Sequence, residues 1–211
     1  LHALGIDPAR QSARQAVQTL ALGVTAIRSH VDVDTEIGTA NIAGVMATRE
    51  AYRNIVDIQI VTFPQSGMLI REGTVALMEE ALRMGADIVG GLDPAEIDRD
   101  PVRHLDVIFA MADRFGKPVD IHLHELGELG AFSIELIVER TRALGLQGRV
   151  LISHAYCLGM IEPARQDALA TGLAEAGIAV MTAGPAGFPA PRIKRLHELG
   201  VRHARQRGHA A

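Results

Sequence analysis

The stretch Pro118-Val119-Asp120-Ile121-His122-Leu123-His124-Glu125 decides the fold. Its apolar residues mark a short buried strand, and its polar residues gather at the C-terminal end. Five other segments have the same form: 24–31, 57–63, 86–91, 149–154 and 177–182. All are rich in Val and Ile and bounded by Gly, Pro or polar residues, as buried parallel strands are. Helical spacing fills the gaps. Ala13, Ala16, Val17 and Leu20 follow an i, i+3, i+4, i+7 pattern, as do Leu105, Ile108, Phe109 and Ala112, and Leu169, Gly172, Leu173 and Ala176. Gly23, Gly85, Gly116 and Gly177 stand where helices should end in a left-handed cap. Strand starts recur at roughly 30-residue intervals, the size of one βα unit.

Six βα units, with a helix before the first and a short helix near 189–199, predict a parallel α/β fold. An open doubly wound sheet and a closed (β/α)8 barrel both fit that alternation. The polar residues at strand ends, His30, Gln65, His122, Glu125 and His154, favour the barrel, whose strand ends converge on one mouth. A complete barrel has eight strands and typically about 250 residues. This chain has 211 residues and six clear strands. The expectation is therefore an incomplete barrel over residues 1–200, holding strands two to seven, followed by an irregular basic tail over 201–211.

Composition narrows the class. The chain is 48% hydrophobic and 22% charged, with a net charge of −4, which suits a globular domain. It has no apolar run of membrane-spanning length and no secretory signal at its start, so a cytoplasmic protein without membrane contact is expected. Cys157 is the one cysteine, which excludes a disulfide framework and any multi-cysteine zinc module. A mildly acidic chain with 5 Phe, 2 Tyr and no Trp argues against nucleic-acid binding.

His122 and His124 project to one face of a strand, about 7 Å apart along it. They can share a metal, with Glu125 following as an acid or base. Alternatively, one histidine binds and the other only satisfies a polar neighbour. His154 ends the next strand. Alone it would read as a satisfied core histidine, but two consecutive His-bearing strand ends point to a shared site. Gln65, in Phe63-Pro64-Gln65-Ser66-Gly67, offers a donor and an acceptor to an amide edge, or simply occupies a turn. Asp32 and Asp34 read as caps of the following helix. Cys157 reads as a small buried residue. No nucleophile elbow, P-loop or dinucleotide fingerprint is present.

The segments 25–33, 59–67 and 81–91, then Asp120–Glu125 and Ser153-His154, resemble bacterial cytosine deaminase and its relatives in the amidohydrolase superfamily. The resemblance runs from about residue 8 to residue 200. It implies a (β/α)8 barrel and one divalent metal, iron or zinc, that activates water to attack the ring carbon bearing an amino group. By the same resemblance His122 is a metal ligand and Glu125 the proton carrier. His154 would stand beside the activated water, and Gln65 would bind the substrate's amide edge. His124 occupies a substrate-facing position where bacterial cytosine deaminase has an aspartate. The resemblance also implies a His-x-His pair on the first strand and an aspartate on the eighth, and neither is found in this chain. With one of the four ligands, the chain alone is expected to bind metal weakly and to be inactive.

The expected function is hydrolytic deamination of a cytosine-like aminoheterocycle, a small-molecule substrate. His124 motivates a second expectation, an amidohydrolase acting on another C–N bond, as in a triazine or a pterin. A third is a non-catalytic barrel fragment whose exposed strand edges pair with another copy in a homo-oligomer.

Overall fold

The computed structural model describes residues 5–182 and 189–205. They fall into two compact units that divide between Gly90 and Gly91.

In the first unit, helix α1 (Pro8–Ala21) starts at Asp7, whose carboxylate accepts from Ala9 N (2.9 Å) and Arg10 N (3.3 Å). Strand β1 (Ala26–Asp32), helix α2 (Ala40–Ala51), strand β2 (Asp57–Phe63) and helix α3 (Thr74–Met84) follow. β1 and β2 pair in parallel from Ala26↔Asp57 to Asp32↔Phe63. Strand β3 (Ile88–Leu92) joins β2 through Val61↔Ile88 and Thr62↔Val89. The two helices α1 and α2 cross at Gly44, where a Cβ would lie 2.5 Å from Pro8 Cβ. Such an approach is open only to a residue without a side chain.

The second unit continues the alternation from the end of β3. It contains helix α4 (Pro101–Phe115), strand β4 (Val119–Leu123), helix α5 (Gly127–Ala143), strand β5 (Val150–His154) and a 3-10 turn (Tyr156–Gly159). Helix α6 (Pro163–Glu175), strand β6 (Ala179–Thr182), helix α7 (Ile193–Glu198) and strand β7 (His203–Arg205) complete it. Asp100 caps α4 by accepting from Arg103 N (3.0 Å), and Pro101 supplies the preset first residue. The stripe anticipated on this helix, Leu105, Ile108, Phe109 and Ala112, is buried. β4 pairs with β5 in parallel from Val119↔Val150 to Leu123↔His154, and β5 with β6 from Leu151↔Ala179.

The fold is the expected one: α/β, parallel strands alternating with helices, in the manner of the (β/α)8 barrel. The described residues contain seven strands. The seventh corrects one expectation, because β7 lies within the segment read as an irregular tail. It pairs with β6 from Val180↔His203 to Thr182↔Arg205. Backbone hydrogen bonds formed this pairing without the apolar run used to find the other strands. Residues 206–211 lie outside the described residues. Among the described residues, no helix is long and apolar enough to cross a membrane.

Candidate metal centre and active site

β4 carries two histidines at its C-terminal end because it alternates. Val119, Ile121 and Leu123 are buried on one side, which leaves His122 and His124 on the other. The register sets Leu123 opposite His154, so a regular pleat would send the His154 side chain to the Leu123 face. It does not go there, because His154 has φ 75°, in the left-handed region. Its ring lies 4.7 Å from that of His122 and 4.5 Å from that of His124, centroid to centroid. The ligand nitrogens of the three rings all fall within 4.8 Å of one another.

His124 and His154 each have a partner at Nδ1. His124 Nδ1 is 2.7 Å from Asp93 Oδ2, and Asp93 Oδ1 accepts from the backbone N–H of His124 (2.6 Å) and of Glu125 (3.2 Å). His154 Nδ1 is 3.2 Å from the Tyr156 hydroxyl. Burial pushes the Tyr156 phenol above its ordinary pKa, so its hydroxyl keeps its proton. Clustered imidazole nitrogens of this kind suit zinc or iron, as ligands or as partners of a water bound to the metal. The residues present thus fit the divalent metal that the resemblance implied.

Glu125 is fully buried. Its Oε1 accepts from Ala95 N (2.5 Å) and Glu96 N (3.1 Å), and its Oε2 from the Ser133 hydroxyl on α5. Burial raises its pKa above the ordinary carboxylate value, with the charge of Asp93 adding to the rise, while Ser133 and the two backbone N–H groups act the other way. The same carboxyl that could carry a proton therefore also clamps the loop after β3. A second buried pair holds that loop: His104 Nδ1 lies 2.7 Å from Asp98 Oδ2, and both side chains are shielded from water.

Of the expected site residues, the structure brings His122, His124 and His154 together, with Glu125 next in the chain and bonded within the same unit. Gln65 belongs to the first unit, exposed in the turn after β2, where Gly67 N donates to Pro64 O (3.0 Å). Asp34 caps a turn rather than a helix, accepting from Glu36 N (2.8 Å) and Ile37 N (3.0 Å). Asp32 accepts from the backbone N–H groups of Val33 and Gln65. Burial and the neighbouring charge of Asp34 raise its pKa. Cys157 is buried, and its thiol is pushed up to about 12 by that burial, as suits a packing residue. Asp93, Ser133 and Tyr156 were missed by sequence reasoning. Asp93 alone left a signal, a polar residue directly after the buried run Ile88-Val89-Gly90-Gly91-Leu92.

A family model described as "Amidohydrolase family" matches residues 5–204. The chain belongs to the amidohydrolase family. It is 31% identical over 179 residues to an N-isopropylammelide isopropyl amidohydrolase of Pseudomonas sp. (strain ADP), a match covering 85% of this chain and 44% of that protein. Among solved structures it is similar to the N-isopropylammelide isopropylaminohydrolase of Burkholderia multivorans, at 49% identity and a TM-score of 0.93 over 95% of this chain and 52% of the other. It is also similar to the 5-methylcytosine deaminase of Klebsiella pneumoniae, at 26% identity and a TM-score of 0.84 over 97% and 54%. The chain thus spans about half the length, or less, of these amidohydrolase relatives.

Proposed function

We propose that the protein is a metal-dependent hydrolase that removes an amino or alkylamino group from a nitrogen heterocycle. The convergence of His122, His124 and His154 at the ends of β4 and β5, in an amidohydrolase chain, carries this reading. A divalent metal bound there supplies a nucleophile at neutral pH by lowering the pKa of water. In the net reaction water replaces the amino or alkylamino group on a ring carbon: the exocyclic carbon–nitrogen bond breaks, leaving a ring carbonyl and releasing ammonia or an alkylamine.

The chain's own residues divide the remaining work. His122 holds the metal and His154 stands beside the attacking water. If the Tyr156 hydroxyl donates to His154 Nδ1, the ring proton sits on Nε2, where it faces the reacting group as a donor. Glu125, with its raised pKa, carries a proton between the water and the ring or leaving nitrogen.

Two substrates of this class compete, a cytosine-like pyrimidine and an alkylamino-triazine. The triazine is favoured by the 49% identity to an N-isopropylammelide hydrolase, against 26% to a 5-methylcytosine deaminase. Because the 211-residue chain alone is expected to be inactive, the test is amine release from N-isopropylammelide, cytosine and 5-methylcytosine by a full-length version that also carries the first-strand His-x-His pair and the last-strand aspartate, loaded with Zn2+ or Fe2+. Turnover of N-isopropylammelide above the pyrimidines is expected. Preference for cytosine would replace the triazine assignment, and no release from any of them would sink the hydrolase reading.

A further inference from the structure

The loop between β3 and α4 is fixed at both ends. At its near end Asp93 N donates to His122 O (3.0 Å), and Asp93 Oδ1 accepts from the backbone N–H of His124 (2.6 Å) and of Glu125 (3.2 Å). Ala95 N and Glu96 N donate to Glu125 Oε1, so five hydrogen bonds tie residues 93–96 to residues 122–125. At its far end the loop is held by Asp98 and His104, whose Oδ2 and Nδ1 lie 2.7 Å apart and whose side chains are 0% exposed. The His104 ring fills space beside β3, where a Cβ on Gly91 would lie 3.2 Å from Nε2. Ile97 N donates to Asp93 O (2.9 Å) and links the two ends. Arg99 follows with φ 58°, a setting that a non-glycine residue keeps only where surrounding contacts over-determine it. Those contacts are Asp98 on His104 before it and Asp100 on Arg103 N (3.0 Å) after it.

We infer that Asp98 and His104 are positioning residues: by pinning the β3–α4 loop to α4 they hold the end of β4, and with it His122 and His124, in place. Two apolar side chains of similar size would pack in this interior without a desolvation cost. What the polar pair adds is direction, because a hydrogen bond fixes one atom of the loop against one atom of the helix. Position 98 is the last point at which the loop is bonded to α4 by a buried side chain before the strained turn at Arg99. Freedom gained there passes through Ile97 and Asp93 to the five bonds on residues 122–125.

The inference rests on the histidine cluster being the functional site, and its first readouts need neither metal nor turnover. In the unmodified chain the amides of Ala95, Glu96, His124 and Glu125 should open as one unit in native-state hydrogen exchange, with protection agreeing within about fivefold. A wider gap between the loop and strand-end amides overturns the inference and needs no variant. 15N relaxation reads motion within the folded state, so a loss of overall stability does not move it. In Asp98→Ala the four amides should gain motion together, with order parameters falling from about 0.85 towards 0.6 or μs–ms broadening appearing. Val119, at the other end of β4, and Val180, on β6, should stay unchanged. Asp98→Asn offers the ring nitrogen an oxygen or an N–H and should restore the unmodified pattern. Motion confined to Ala95 and Glu96, motion that includes Val119 and Val180, or no recovery in Asp98→Asn would each overturn the inference. In the full-length version used to test activity, Zn2+ affinity by competition with a chromophoric chelator should fall about tenfold in Asp98→Ala and recover in Asp98→Asn. An unchanged affinity in Asp98→Ala would show that the motion does not reach the histidines, and would overturn it too. A full-length version that binds no Zn2+ or hydrolyses none of the heterocycles would defeat the proposed function, and the exchange and relaxation patterns would still decide this inference.

Discussion

Replacing Ser133 by Ala removes one hydroxyl from a pair of side chains that water does not reach. Ser133 Oγ donates to Glu125 Oε2. A hydrogen bond to a charged group contributes about 1.5–3 kcal/mol. The change deletes a single atom, so the cavity it leaves is small and the lost bond dominates. Glu125 keeps its two bonds from Ala95 N and Glu96 N, which hold the other oxygen. We expect Ser133→Ala to cost about 2 kcal/mol near pH 7. At about 2–4 °C per kcal/mol for a chain of this size, Tm should fall by about 4–8 °C.

The pH dependence has a definite sign. Because burial raises the Glu125 pKa above 4.5, its contribution to stability is full below 4.5 and is lost as pH rises through the folded value. Ser133 opposes that rise, so removing it lifts the folded pKa further. The cost of Ser133→Ala should therefore be largest at neutral pH and shrink towards pH 4.5. Urea denaturation followed by far-UV circular dichroism at several pH values measures it, together with the double mutant Ser133→Ala/Glu125→Gln. A loss below about 0.5 kcal/mol near pH 7 would refute the reasoning, being within the range of ordinary surface substitutions. Strict additivity in the double mutant would refute it as well.

Three further outcomes are expected. Gly130→Ala should destabilise by about 1–3 kcal/mol or more in chemical denaturation, since overpacking costs that much; the new Cβ would run into the backbone oxygen of Glu125 and lie 2.7 Å from Cys157 Cβ. A neutral or stabilising result would mean that the α5–turn contact is slack. Asp32→Asn should become more stable relative to the parent as pH rises from about 3.8 to 7. The raised pKa of Asp32 means that its protonated form is favoured by folding and its charge is not; a pH-independent difference would contradict this. Cys157, buried with its thiol pushed up to about 12, should resist a disulfide reagent at pH 8 until the protein unfolds, and rapid labelling of the native chain would disprove the packing role.

Six of the strands were legible because buried parallel strands are short apolar runs between helix-capping glycines. Gly23, Gly85, Gly116 and Gly177 all have positive φ, as their positions required. β7 was not legible, because His203-Ala204-Arg205 carries no apolar signature and owes its place to backbone bonds with β6. The three histidines were visible as strand-end polar residues. Their supports were less so. Ser133 lies inside a helix and Tyr156 in a 3-10 turn, where neither periodicity nor a motif marks a side chain that reaches back to a neighbouring strand end. Asp93 could have been suspected from its place after β3, but its two bonds to residue 124 span 31 positions of sequence. Pairings of that kind are fixed by topology, which local patterns do not encode.

The backbone shows why these supports matter. Among the described residues, the non-glycine residues with positive φ are Asp93, Arg99, His154 and Ala155, and all four lie in the second unit. Three of them stand at the ends of β3 and β5. Such conformations cost about 1–3 kcal/mol each and persist only where surrounding contacts over-determine them. For Asp93 those contacts are the bonds to the backbone and ring of His124. For Ala155, whose side chain is buried, they are Leu158 N donating to Ala155 O (3.1 Å) and Ala155 N donating to Ser153 O (3.1 Å). Glycine at position 154 would relieve the strain but carry no imidazole, and an ordinary strand residue there would turn its side chain towards the Leu123 face. The left-handed turn at His154 is thus the local cost of placing a third ring beside two that strand alternation already supplies.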